Sequence, residues 1–213
     1  MGQRLAVMAS AFVSPARLQD SPHADGRRER SRSSRTKIVA AMVDLVGQGD
    51  VDPSAARVAE VAGVGLRSVF RHFEDMEALY REMGEVIEGR VLPIILQTPA
   101  GATWKEKMVD MAVRRAAIFE TILPYRISAS IKRFQSPYLM QDYRRMVRLE
   151  SQTIDAHLPR AIKADAPGAR GLKVILSFQT WRLLRHDLDY SVQEAGKVVR
   201  RLLDDALAAM PDD

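Results

Sequence analysis

From position 35 onward, apolar residues recur in steps of three and four. Ile38, Ala41, Met42, Leu45 and Val46 fall on one side of a helix, and Gly47 and Gly49 end it. Asp52 is placed to cap the next helix with Pro53 at its first position, where the missing N–H costs nothing. That helix, 54–62, sets Val58, Val61 and Ala62 on one face and Arg57 and Glu60 on the other, and Gly63 stops it. Gly65 then opens a short helix over 66–73, with Val69 and Phe73 on its inner side. Two short helices joined by a glycine-containing turn, after a longer helix, predict a helix-turn-helix unit. Five more helices are expected: 75–91, stopped near Pro93; from Gly101 or Thr103 to 122, before Pro124; 137–157; 169–186; and 191–210. No segment alternates as a strand does and no internal repeat is present. The fold class is therefore all-α, an N-terminal three-helix helix-turn-helix domain (35–80) joined to a C-terminal helical bundle (81–213). Residues 1–34 lack periodicity, are rich in Ser, Arg, Pro and Asp, and are expected to be a disordered arm.

Composition narrows the classes. The chain has 213 residues, 46% of them hydrophobic, enough for a sizeable core, and none is cysteine. That removes disulfide scaffolds, cysteine-ligated zinc, iron–sulfur clusters and thiol catalysis. No apolar run reaches the length of a bilayer span. The opening segment carries an apolar run, 5–9, too short for a secretory signal, and Ala6 stands where a myristoylation signal needs Ser or Thr. The expectation is a cytoplasmic protein with a loose leader and Met8 as an alternative start.

The formal net charge is +5 and its location is informative. Six basic residues between Arg27 and Lys37 face a single acid, Glu29, while basic and acidic residues balance elsewhere. A focused basic arm fits a polyanionic partner, because each neutralised phosphate releases a counterion; a solvated tail fits it too.

Residues 35–83 resemble the DNA-binding domain of the tetracycline-repressor (TetR) family. The resemblance is carried by Val58-Ala59, Ala62-Gly63-Val64, Phe70-Arg71-His72-Phe73 and Glu77-Ala78-Leu79, in the family's order and spacing. It implies a homodimeric transcriptional regulator, usually a repressor, whose larger domain binds a small-molecule effector and whose DNA partner is a palindromic double-stranded operator. Helix 66–73 would enter the major groove, where base edges are distinguishable, and helix 54–62 would anchor the backbone. The contacts carried over are Arg35 in the basic arm, Ser54 and Arg57 on the first helix, and Gly65, Leu66, Arg67, Ser68, Phe70, Arg71 and His72 on the second. Arg67 and Arg71 are the expected base readers, with phosphate clamping as the alternative. Ser54 reads equally as a helix-start residue, and His72 as a partly buried capping histidine. Three positions depart from the family pattern. Phe70 lacks the usual tyrosine hydroxyl, Gly65 replaces a frequent serine cap, and Met76 stands where a lysine often meets the backbone. The basic arm could compensate by reaching phosphates or the minor groove.

The last two helices are the family's dimer interface, and Leu172, Ile175, Leu176, Gln179 and Leu183 with Val198, Val199, Leu202, Leu203 and Leu207 supply the stripes; packing within one subunit would use them equally. Aromatic and Met side chains concentrate in the middle helices. Trp104, Met108, Phe119, Tyr143, Phe178 and Trp181 are the expected ligand-pocket residues, with an ordinary core as the competing account. Lys132, Arg133, Arg144, Arg145 and Arg148 could attract an anion, although such charges usually form a solvated face.

Enzyme readings lack an inventory. There is no glycine-rich phosphate loop, nucleophile elbow or His-Glu-x-x-His, the four histidines are scattered, and His186-Asp187-x-Asp189 reads as a cap and turn rather than a metal site. No catalytic residue, cofactor or metal is expected. The rival to a regulator is a helical binding module with a vestigial helix-turn-helix.

Overall fold

The computed structural model describes residues 22–212. The leader and the first two-thirds of the basic arm, including the alternative start at Met8, lie outside the described residues. Among those described there are helices and no strands: α1 (Pro22–Gly47), α2 (Ala55–Ala62), α3 (Leu66–His72), α4 (Met76–Ile95), α5 (Trp104–Lys132), α6 (Pro137–Asp155), α7 (Arg160–Ala164), α8 (Ala166–Ile175), α9 (Phe178–Arg182) and α10 (Val192–Ala208).

The apolar stripe of α1 behaves as its spacing requires. Ile38, Met42 and Val46 are fully buried and pack with Val58, Val69, Phe73 and Leu79 as the core beneath the two short helices. The helix starts earlier than expected, however. Residues 22–34 were read as disordered, yet α1 is continuous from Pro22. That segment has no apolar period to reveal it, but Arg and Glu favour helix, and extending a helix already nucleated on a core costs little.

Other boundaries moved for local reasons. Ser54, not Asp52, caps α2: its Oγ accepts the Arg57 N–H at 3.2 Å, and Pro53 is buried before the helix rather than in its first turn. Gly63 ends α2 at φ 64°, returning its N–H to Ala59 and Glu60 carbonyls, the left-handed closure that glycine makes without a Cβ clash. Two prolines expected to stop helices lie inside them. Pro93 sits in the last turn of α4, and Pro124 lies well within α5, which runs to Lys132 instead of ending at 122. A mid-helix proline costs one backbone bond; here the helix beyond it is held by burial of Ser128, whose Oγ lies 3.0 Å from the Tyr80 hydroxyl, and by Lys132 pairing with Asp52 at 2.8 Å.

The helix expected over 169–186 is broken. α8 ends at Ile175, Ser177 caps α9 by accepting the Thr180 N–H, and a π-helical turn follows over Leu183–Asp187. The break is stabilised by Arg115, a buried guanidinium from α5. It donates to the Leu176 carbonyl (2.6 Å), the Glu150 carbonyl (2.5 Å) and Thr153 Oγ1 (2.6 Å). A carbonyl left free at the end of α8, a carbonyl within α6 and a hydroxyl thus share one cation. Burial lowers the Arg115 pKa to about 10, with Glu150 opposing the shift.

In the last two long segments, most of the expected dimer stripe is core. Leu172, Leu176, Val199, Leu203 and Leu207 are buried within the single chain, because α10 packs on α5 and α8. Leu183 and Leu202 remain exposed, as do Val174 and Val192.

Candidate nucleic-acid interface and bundle cavity

The outer face of α3 is set by what its inner face buries. Val69 and Phe73 point into the core, so Leu66, Arg67, Phe70 and Arg71 stand outward. Leu66 is 45% exposed and Phe70 52%, large apolar side chains left in water one helical turn apart. Arg67 has no hydrogen bond or ion pair among the described residues, and Arg71 makes only a 3.4 Å contact with Ser68 Oγ. Gly65 begins the helix in extended conformation with no side-chain cap. Ser54 and Arg57 lie on the neighbouring α2. There the Ser54 hydroxyl is occupied as a cap, and Arg57 pairs with Glu60 at 2.8 Å in the open. The protein therefore offers a short, replaceable set of donors and apolar contacts on one ridge, of a shape a major groove admits.

Two of the expected contact residues are engaged within the chain, Arg35 while still partly exposed. Arg35 is a strut: Nη1 donates to the His72 carbonyl at 2.6 Å, Nε reaches Glu82 Oε2 at 3.1 Å, Nη2 pairs with the other Glu82 oxygen, and the guanidinium stacks 4.5 Å over the Phe73 ring. The end of α3 is thereby tied to α1 and α4 at one point. His72 is half-buried, and its Nε2 is enclosed without a partner. Burial, then the charges of Arg71 and Arg35, lower its pKa, so the ring is neutral near pH 7.

Along the bundle, α4, α5 and α6 line an open pocket of about 490 Å³. Its apolar wall includes Met83, Ile87, Val91, Ile122, Leu139 and Met146, and Tyr80, Tyr125, Tyr138 and Tyr143 add phenol rings. Burial raises the pKa of Tyr80 and Tyr138, keeping both as hydroxyl donors. Of the six pocket residues expected from sequence, only Tyr143 lines this cavity, accepting a hydrogen bond from Gln179 Nε2 at 3.0 Å. The other five belong to the core. Trp104 donates to the Asp212 carbonyl, Met108 is fully enclosed, Phe119 meets Phe178 edge-on at 5.6 Å, and Trp181 donates to Glu120 at 2.7 Å. A single helix face of α5, with Ile122, Tyr125, Arg126, Ala129, Ser130 and Arg133 on the wall, was missed because the expected helix stopped at 122. The three- and four-residue spacing of that face is visible in the sequence once Pro124 is allowed inside the helix.

The cavity touches the helix-turn-helix through its own lining. A Cβ on Gly47, at the end of α1, would sit 3.0 Å from the Tyr125 hydroxyl, so glycine is what lets the phenol close against that helix. Lys132 to Asp52, Tyr80 to Ser128 and Arg35 to Glu82 add polar links along the same seam. Among the described residues, no group of three acidic or histidine side chains is placed to hold a metal, and no helix is long and apolar enough to cross a membrane.

An exposed recognition ridge on a helix-turn-helix, seated on a helical bundle with its own cavity, defines an all-α, two-part fold of the kind implied by the resemblance. Solved structures share it. A transcriptional regulator from Rhodococcus sp. Rha1 superposes with a TM-score of 0.61 at 15% identity, over 83% of this chain and 99% of its own. The multidrug binding protein EbrR, solved with imidazole, gives 0.57 at 19% identity over 89% of this chain and 97% of its own. At these identities the likeness is one of fold. No protein-family model matches the chain, and no curated protein is significantly similar to it.

Proposed function

We propose that this chain is a sequence-specific DNA-binding transcriptional regulator, a cytoplasmic repressor that leaves a palindromic operator when a small molecule fills the bundle cavity. The observation that carries the reading is the outward ridge of Leu66, Arg67, Phe70 and Arg71 on a helix whose far end is strapped by Arg35 to α4, the cavity wall. Arg67 and Arg71 are the base readers, Leu66 and Phe70 supply apolar contact to thymine methyls, and Ser54 and Arg57 meet phosphates. Residues 35–80 read DNA and 81–213 bind effector and partner subunit, with the exposed Leu183 and Leu202 in the dimer contact. In a dimer, half-sites about 34–36 Å apart must be met together. A ligand wedged between α4, α5 and α6 favours a seam in which Tyr125 and Glu82 sit differently, and so a different separation of the two α3 helices. Operator affinity falls by as much as the ligand prefers that state.

Selection from a random duplex library, at two salt concentrations, tests the reading. A palindrome enriched with affinity about 10³-fold above bulk DNA is expected. Salt-dependent binding with no enriched sequence would overturn it and leave a helical binding module whose helix-turn-helix no longer reads bases.

A further inference from the structure

The cavity walls carry more cationic than anionic groups, and the imbalance is placed. Arg81, Arg126, Arg133, Arg145 and Arg148 line it against Glu85, Glu88 and Asp142. Arg145 is neutralised by Glu88 and by Asp142 at 2.7 Å, Arg126 by Glu150, and Arg81 more loosely by Glu77 at 3.8 Å. Arg133 and Arg148 have no carboxylate partner among the described residues. Arg133 lies 4.2 Å from the Tyr143 ring and 4.7 Å from the Phe134 ring, contacts that supply no counter-charge. Its Nε is buried with no hydrogen-bond partner, and so is Nη2 of Arg126, which stacks 4.0 Å over Phe178. Those two atoms have no exposed surface, so it is the rest of the Arg133 guanidinium, a cation with no counter-charge of its own among the described residues, that the pocket offers to an anion.

We infer that the effector of this cavity is an organic anion, a carboxylate on a flat apolar body. The carboxylate is taken by Arg133, which follows the last turn of α5, and the body lies among the tyrosines and the Met83, Ile87 and Met146 side chains. The inference rests on the reading of the cavity as the effector site and specifies its charge. Arginine suits the role because a planar fork meets a carboxylate through two parallel bonds, whereas an amide offers it one acceptor oxygen and an ammonium none. Glu85, which has no ion pair among the described residues, is the wall group a cationic ligand would use instead.

Three probes with one aromatic body separate the possibilities: 3-phenylpropanoate, 3-phenylpropanamide and 3-phenylpropylammonium, titrated calorimetrically into the full chain at pH 7.4. The acid is expected to bind at least ten-fold more tightly than the amide, and the ammonium most weakly. Arg133→Met should bring acid and amide to the same affinity while leaving amide binding and helical circular dichroism unchanged. Arg126→Lys, which keeps a cation beside Glu150, should leave the acid preference in place. Equal or tighter binding of amide or ammonium overturns the inference, as does an acid preference that survives in Arg133→Met. If amide or ammonium binds and releases selected DNA, the effector-site reading stands and only the charge assignment fails. If none of the three binds at millimolar concentration, the assignment fails with the effector-site reading itself.

Discussion

The two functional regions differ in how they are built. The α2–α3 ridge is local: within twenty residues, Ser54, Gly63 and Gly65 cap and turn the chain, and Val58, Val69 and Phe73 anchor it. Its outward side chains are free to meet a partner. The bundle cavity is non-local. Its walls come from three helices, and its arginines are held by carboxylates or rings distant in sequence, as Arg145 is by Glu88 and Arg126 by Phe178. A ridge tolerates exchange of its exposed residues, whereas removing one member of a wall ion pair leaves its partner unmatched.

That contrast breaks most visibly at Arg115, which lies on the bundle side. Arg115→Leu leaves the Leu176 carbonyl and the Thr153 hydroxyl without the donor they share, and is expected to cost about 3 kcal/mol, read as a lower urea midpoint at unchanged slope. On the ridge, Arg67→Ala and Arg71→Ala should leave the urea midpoint where it is. Each should weaken selected-operator binding by about 1–3 kcal/mol while changing bulk-DNA binding far less. If instead both lose affinity uniformly for all sequences, they are phosphate clamps. Between the two regions, Glu82→Gln weakens the strut. Both partners are partly solvent-exposed, so stability should drop by less than about 1 kcal/mol. Its larger effect should be on coupling, with ligand releasing less DNA than from the unaltered protein.

The smallest effect is a pH dependence. His72 and His157 both have pKa values lowered by burial, aided by Arg71 and Arg35 for the first and Lys107 for the second. The unfolded chain takes up these protons near its ordinary histidine value of about 6.5, whereas the native state resists until lower pH. Stability is therefore full above that value and declines as pH falls below it. Thermal unfolding should occur at lower temperature at pH 5.5 than at 7.5, and the double variant His72→Gln, His157→Gln should flatten that slope. An unchanged slope would place the titration elsewhere.

The sequence was most legible where structure is local. The helix-turn-helix, the inward Val69 and Phe73, the outward Arg67 and Arg71 and most helix cores follow from spacing and glycine punctuation. It misled where a rule about one residue competes with packing. Pro124 was read as a stop, which hid the α5 wall and its arginines. Trp104, Met108, Phe119, Phe178 and Trp181 were grouped as a pocket by type, yet they fill the core, because an aromatic side chain looks the same in sequence whether it packs against protein or ligand. Arg35 looked like part of a basic arm reaching outward, and only its meeting with Glu82 and the His72 carbonyl turns it into a strut.

By itself the sequence determined an all-helical chain, the two short helices and their turn, and which side chains stand on the recognition ridge, since those depend on spacing and capping within a few residues. The tertiary structure alone decided that α5 passes through Pro124, that α8 and α9 part around Arg115, and that Arg133 and Arg148, from two different helical segments, line one pocket without carboxylate partners among the described residues. Those outcomes balance a local cost against contacts made across the fold, and their partners lie far from them along the chain.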